Sequence, residues 1–352
     1  MRRVRRESSV RPFAGIAAFA GAGAAVLALA GPANALTIIP VFTSSVTKLS
    51  NAKTIEASFD DAVKILETKL KAPVTVKVDV DWGNLDGRAL SSGDISESLS
   101  SVYDGYSYVE VKTYLKTAAL TNPGDKTLVA AAASLPANDP ISLNNFYVTS
   151  ADAKALGLLP PTMPNLDGYV GFSSSGKYDF GSAPVAGEYD FESLALHELS
   201  EVLGRSSGLT SSRPTQATIM DLLRYARSGV HSFSYSASSY LSINGGRSSL
   251  GAFNYSGGYD RGDWASSVAD DIQDAVASSG RLTEISSADL ALLDALGWDT
   301  ITNPGGWIAS PSMISGAAGI SVPEPATWTM AILGASLMGA ALRRRRMRVQ
   351  PV

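Results

Sequence analysis

Apolar side chains recur every three to four residues from 54 to 71, where Ile55, Phe59, Ala62, Val63, Leu66 and Leu70 share one face of a predicted helix. Pro73 ends that pattern and the period changes to two. Val74, Val76, Val78 and Val80 alternate with Thr75, Lys77, Asp79 and Asp81, which predicts a half-buried strand. Helical spacing returns over 108–120 and 127–134, on either side of the turn residues Asn122-Pro123-Gly124. A short strand at 145–149 and a helix at 151–156, stopped by Gly157, come next. Segments 168–173 and 177–180 predict a hairpin around Ser174-Ser175-Gly176. A helix then runs from 191 to 203, with Asp190 as N-cap and Gly204 just past its end. Downstream, 240–243 and 248–253 flank Asn244-Gly245-Gly246, a hairpin signal. Helices are expected over 266–277 and 288–296, the second capped by Ser286 or Ser287 and ended by Gly297. Helices and strands mix without a regular β-α repeat, so the fold class is α+β.

The two ends carry another pattern. Arg2, Arg3, Arg5 and Arg6 precede an apolar run from about Phe13 to Ala30 and then Ala33-Asn34-Ala35. A charged start, an apolar middle and small residues at the cut predict a secretory signal peptide over 1–35. A retained N-terminal anchor is the alternative, and the arginine pairs also fit a twin-arginine leader. At the other end Val322-Pro323-Glu324-Pro325 precedes an apolar stretch at 326–342 and then Arg343, Arg344, Arg345, Arg346 and Arg348. That stretch is at the lower limit for a helix crossing about 30 Å of hydrocarbon, and its arginines would stay cytoplasmic. The tail over 322–352 resembles the PEP-CTERM sorting signal. The resemblance implies an exosortase as processing partner in a Gram-negative bacterium with an exopolysaccharide matrix. An ordinary single-pass anchor is the alternative. The expected route is cleavage by signal peptidase, transient inner-membrane anchoring by a C-terminal transmembrane helix, then the cell surface or extracellular biofilm matrix.

Between the ends lies a body of residues 36–321, expected to be one domain. Ten of the 29 Lys+Arg and two of the 33 Asp+Glu belong to the ends, so the body is near −12. An acidic surface argues against nucleic acid or anionic membrane as partner. The chain has no cysteine, so an exported protein that has access to disulfides must rely on its core.

Chemistry concentrates on the helix at 191–203, in His197-Glu198-Leu199-Ser200-Glu201-Val202-Leu203-Gly204-Arg205. His197 and Glu201 are four apart, so they lie one turn above each other and can share one metal ion. Zinc accepts both imidazole and carboxylate. Glu198, one residue round the helix, would be the general base toward water. The alternative is a solvated ladder of His197, Glu201 and Arg205. Calcium is a further candidate cofactor. Asp81-Trp82-Gly83-Asn84-Leu85-Asp86-Gly87 has oxygen ligands at calcium-like spacing without the distal glutamate of an EF-hand, and reads as a strand-to-loop turn. Asp260, Asp263, Asp270, Asp271 and Asp274 form an acidic patch that either holds calcium or is a solvated face.

The run from Glu188 to Arg205 resembles a family of exported bacterial metalloproteases, and Met220-Asp221-Leu222-Leu223-Arg224-Tyr225, Gly262-Asp263-Trp264-Ala265 and 289–298 extend the resemblance. It implies a zincin-like, metzincin-like catalytic domain with a mixed twisted sheet, an active-site helix and one Zn2+ per chain. The hairpin before the helix would be the substrate-binding edge. The metzincin pattern sets a second ligand at Glu201, a turn glycine at Gly204 and a third ligand at Ser207, which is a poor zinc ligand. Thr218-Ile219-Met220 resembles the Met-turn, with Leu222 where a Tyr often stands. The third ligand is therefore open between Asp221 and, ranked below it, His231. Two functions remain: a surface-displayed zinc endopeptidase acting on protein or peptide substrate, and a non-catalytic exopolysaccharide-matrix or adhesive protein that retains the fold.

Overall fold

The computed structural model describes residues 35–300 except 92, 143–144, 210–215, 258 and 266–269. The first strands are β1 (Thr37–Phe42), β2 (Thr75–Trp82), β3 (Ser96–Ser100), β4 (Val102–Tyr106), β5 (Phe146–Thr149) and β6 (Gly168–Phe172). After them come β7 (Tyr178–Asp179), β8 (Tyr189–Asp190), β9 (Ala217–Thr218), β10 (Arg224–Arg227), β11 (Val230–His231), β12 (Ser239–Leu241) and β13 (Gly251–Phe253). The helices are α1 (Ser44–Thr47), α2 (Ala52–Lys69), α3 (Tyr108–Thr121), α4 (Lys126–Ser134), α5 (Ser150–Ala155), α6 (Phe191–Val202) and α7 (Ser287–Leu293).

The main sheet has the order β1-β2-β6-β3. β1, β2 and β6 run parallel and β3 lies antiparallel on the β6 edge. The alternating valines of β2 are buried at Val76, Val78 and Val80, as their period of two requires. α2 buries Ile55, Phe59, Ala62, Val63 and Leu66 and packs on α6, while α6 also lies on β3 and β6. Between them sits an aromatic cluster in which the Phe172 and Phe191 ring centroids are 4.3 Å apart, with Phe59 and Trp82 packed on Phe172. Two smaller sheets follow, β4-β5-β9 and the antiparallel β11-β10-β12-β13. The mixed α+β class holds, with open sheets.

Two expected elements take other forms. Segments 168–172 and 178–179 do not pair with each other: β6 is an inner strand of the main sheet, and β7 pairs in parallel with β8. The physical reason is the pair of glycines on β6, Gly168 and Gly171. A Cβ on Gly171 would lie 2.5 Å from the Asn84 carbonyl, and one on Gly168 2.7 Å from Val202 Cγ2, so the strand fits only in the crowded interior beneath α6. The open edge beside α6 is consequently β3. The helix expected over 266–277 is also not formed in its described part: Trp264 and Asp271 instead make isolated bridges to Asp274 and Glu284. Asp271 Oδ1 accepts from the Gln273 amide at 2.8 Å, a local bond that competes with the helix ladder.

Candidate metal centre

α6 starts where predicted. Asp190 is its N-cap and accepts from Ser193 N at 2.9 Å, and Ser193 Oγ also donates to the Thr283 carbonyl at 2.9 Å. Gly204 ends it with φ +105°, a left-handed conformation that suits glycine and turns the chain so that Arg205 re-enters the core. The helix is enclosed on every side, so its polar residues are buried with it: His197 is 7 % exposed, Glu198 0 %, Glu201 5 % and Arg205 0 %. These values exclude a solvated ladder. Arg205 instead forms an ion pair with Asp289 at 3.0 Å, donates to the Gly262 carbonyl at 3.1 Å, bonds Gln273 Oε1 and stacks on Trp264.

His197 Nδ1 lies 2.8 Å from the Ile272 carbonyl oxygen. A carbonyl can only accept, so Nδ1 carries a proton and donates it to Ile272. Such a second partner fixes the tautomer and orientation of a ligating histidine. Glu201 Oε2 accepts from Ser98 Oγ, and the Glu201 backbone carbonyl from Ser100 Oγ at 3.2 Å. Both serines belong to β3, which thus couples the sheet edge to the helix.

The third member of the group is Asp263. A ligand-type atom from each of His197, Glu201 and Asp263 lies within 4.8 Å of the others, and all three residues are buried. The loop carrying Asp263 is pinned on both sides: its carbonyl accepts from Asn254 N at 2.8 Å, Trp264 N donates to the Gln273 carbonyl at 2.8 Å, and Trp264 Nε1 donates to Asp289 Oδ1 at 2.9 Å. Gly262 makes room for the approach, since a Cβ there would meet Met220 Cε at 3.2 Å and Asp260 Oδ1 at 2.9 Å. One imidazole and two carboxylates are a donor set that suits Zn2+.

The other sequence-predicted residues have different surroundings. Asp221 is fully buried and both its oxygens are engaged, Oδ1 by Ser207 Oγ at 2.6 Å and Oδ2 by Gly208 N and Thr218 N, each at 2.9 Å. Burial pushes its carboxyl up and Arg224 opposes the shift. Ser207 thus serves Asp221, and the loop after α6 is tied to the segment holding Met220. His231 stacks on Tyr225 with ring centroids 4.2 Å apart, and burial lowers its pKa. Asp81 accepts from Thr43 Oγ1 at 2.6 Å, Ser45 Oγ at 3.1 Å and Asp86 N at 3.0 Å, the hydrogen bonding of a turn. The acidic patch is divided: Asp263 joins His197, Asp270 pairs with Arg281 at 2.7 Å, and Asp271 caps Gln273 N.

His197 opens into a cleft of about 50 Å³ lined also by Ser193, Ile272, Asp274 and Arg281. Ile95 and Tyr189 border both this cleft and a groove of about 550 Å³ that runs between 83–95 and 173–177.

The sequence reading did not assign Asp263 to the centre. The signal available was the Gly262-Asp263-Trp264 run, a carboxylate between a glycine and a large apolar ring. Ser98 and Ser100 gave no signal at all.

In comparison with known proteins, the PEP-CTERM protein-sorting motif matches residues 321–346. No curated protein and no solved structure matches the chain. The chain therefore carries an export and surface-sorting signal, and that motif implies handling by an exosortase. The expected transmembrane helix and transient inner-membrane anchoring need correction. No helix among the described residues is long and apolar enough to cross a membrane. The stretch at 326–342 on which that expectation rested lies outside the described residues, as does the signal peptide over 1–35 except its last residue. Surface sorting rests on the motif alone.

Proposed function

We propose that the exported body is a zinc-dependent endopeptidase in which His197, Glu201 and Asp263 hold the metal and Glu198 is the general base. The observation that carries this reading is the convergence of three buried ligand-type side chains within 4.8 Å, two from α6 and one from a distant loop. The Nδ1–H of His197 engaged by Ile272 supports it, because such a bond orients the ring of a ligating histidine.

Bound zinc would polarise the scissile carbonyl and acidify a water molecule. Glu198 would take a proton from the attacking water as its oxygen adds to the carbonyl carbon, and would return it to the nitrogen as the C–N bond breaks. The products are a free carboxyl and a free amine. Asp263 and Glu201 bring two negative charges to the centre, where a three-imidazole site brings none, so the water is less acidified and an alkaline optimum is expected. The open edge of β3 offers an extended peptide a row of backbone partners beside α6. This arrangement is consistent with the zincin-like architecture that the sequence resemblance implies.

The test is metal content together with hydrolysis of an unstructured protein such as casein. Wild type should hold about one zinc per chain. Asp263→Asn and His197→Ala should lose it, while Glu198→Gln keeps zinc and loses at least ~10²-fold in rate. Equal zinc in wild type and both ligand variants, or no hydrolysis by zinc-loaded wild type, defeats the reading.

A further inference from the structure

A second carboxylate group stands apart from α6. Asp125, Asp294 and Asp299 each bring an oxygen within 4.8 Å of the others. Asp125 is the N-cap of α4, Asp294 ends α7, and Asp299 follows the wide turn over Asp294–Trp298. One oxygen of each buried member has a structural duty: Asp125 Oδ1 accepts from Leu128 N at 2.9 Å and Asp294 Oδ1 from Thr300 N at 2.6 Å. Their Oδ2 atoms are buried with no hydrogen bond of ordinary length among the described residues, and the Thr127 hydroxyl beside Asp294 acts on that carboxyl as a donor. Asp125 is 2 % exposed and Asp294 0 %.

Leaving such oxygens bare is costly, since each forfeits its hydration. The charged neighbours acting on Asp125 are Asp294 and Asp299, all of one sign. Oxygen-only donors, negative charge and a neutral hydroxyl are the surroundings that hard divalent cations select. Nothing here resembles the nitrogen-containing set at His197.

We propose that Asp125, Asp294 and Asp299 form a calcium site that clamps the start of α4 to the chain end leaving α7. Asp299 is already tied to the C-terminal end of α2 through Lys71 N, which donates to its carbonyl at 2.7 Å. A cation there joins three helices at the last described turn before the segment that leads to the sorting motif.

The experiment measures the melting temperature of the zinc-loaded full chain in calcium-free, chelator-free buffer and after adding calcium chloride to 10 mM. Calcium should raise it by about 5 °C, the scale for ligand well above the dissociation constant of an extracellular calcium module. Asp299→Asn should abolish the rise yet fold normally, because asparagine tolerates the φ of +48° at this position. Asp125→Asn keeps an N-cap and should behave alike. Equilibrium dialysis should find one calcium bound in wild type and none in Asp299→Asn. No rise in wild type, or an undiminished rise and bound calcium in Asp299→Asn, overturns the site.

Discussion

At the residue scale, two buried aspartates on different segments have different work. Asp263 converges on His197 and Glu201, whereas Asp221 spends both oxygens on Ser207, Gly208 and Thr218. Asp221→Asn should therefore keep one zinc per chain and lose stability instead. An amide nitrogen cannot accept one of these bonds, at a cost of about 1–3 kcal/mol. Denaturant melts and metal analysis on the same sample check this. Zinc lost with stability intact would make Asp221 the ligand. Sequence left the third ligand open between Asp221 and His231 and ranked Asp221 first because a lone histidine in a Ser-rich stretch reads as surface. What decides the matter is which carboxylate already has donors around it, and that depends on where the loop after α6 comes to rest.

The elements that were legible are those whose burial has one clean period. α2, α3, β2 and α6 appear close to their expected bounds because each presents an apolar stripe or alternation to the core. β3 was illegible: Ser-Glu-Ser-Leu-Ser has no apolar alternation, and Ser98 and Ser100 face Glu201 of α6. The hairpin expected at 168–180 failed because Gly168 and Gly171 are close-contact points that seat the strand inside the main sheet. Gly168 makes this testable. Gly168→Ala sets a methyl 2.7 Å from Val202 Cγ2 and 3.0 Å from the Leu99 carbonyl, so about 1–3 kcal/mol of destabilisation is expected from overpacking. Val202→Ala should recover part of that loss in the double variant, measured by chemical denaturation. Purely additive losses would mean that α6 does not press on β6 there.

At the scale of the whole molecule, acidity is unevenly placed, and buried carboxyls make stability depend on pH. Burial, reinforced by Glu97, pushes Asp94 up to about 8, and burial lifts Asp274 to about 7. Both lie above the ordinary carboxyl value, so folding retains protons that the unfolded chain releases. Their contribution is complete below about pH 4 and is lost as pH climbs through 7 to 8. The melting temperature should fall between pH 5.5 and 8.5, and Asp94→Asn should flatten that fall. A wild-type profile that rises over this interval would contradict the assignment.

The distance along the chain between Glu201 and Asp263 has a consequence of another kind. With a metal on both, a loop of roughly 60 residues is closed, which is the topological work of a disulfide in a chain that has no cysteine. Loop-closure entropy sets the scale of such a cross-link at about 4 kcal/mol. An ionic staple differs from a covalent one in what opens it. Thiol reductants leave it shut, while chelators and acid release it. The fold outside the cell would then be governed by metal supply and proton activity, and be indifferent to redox poise.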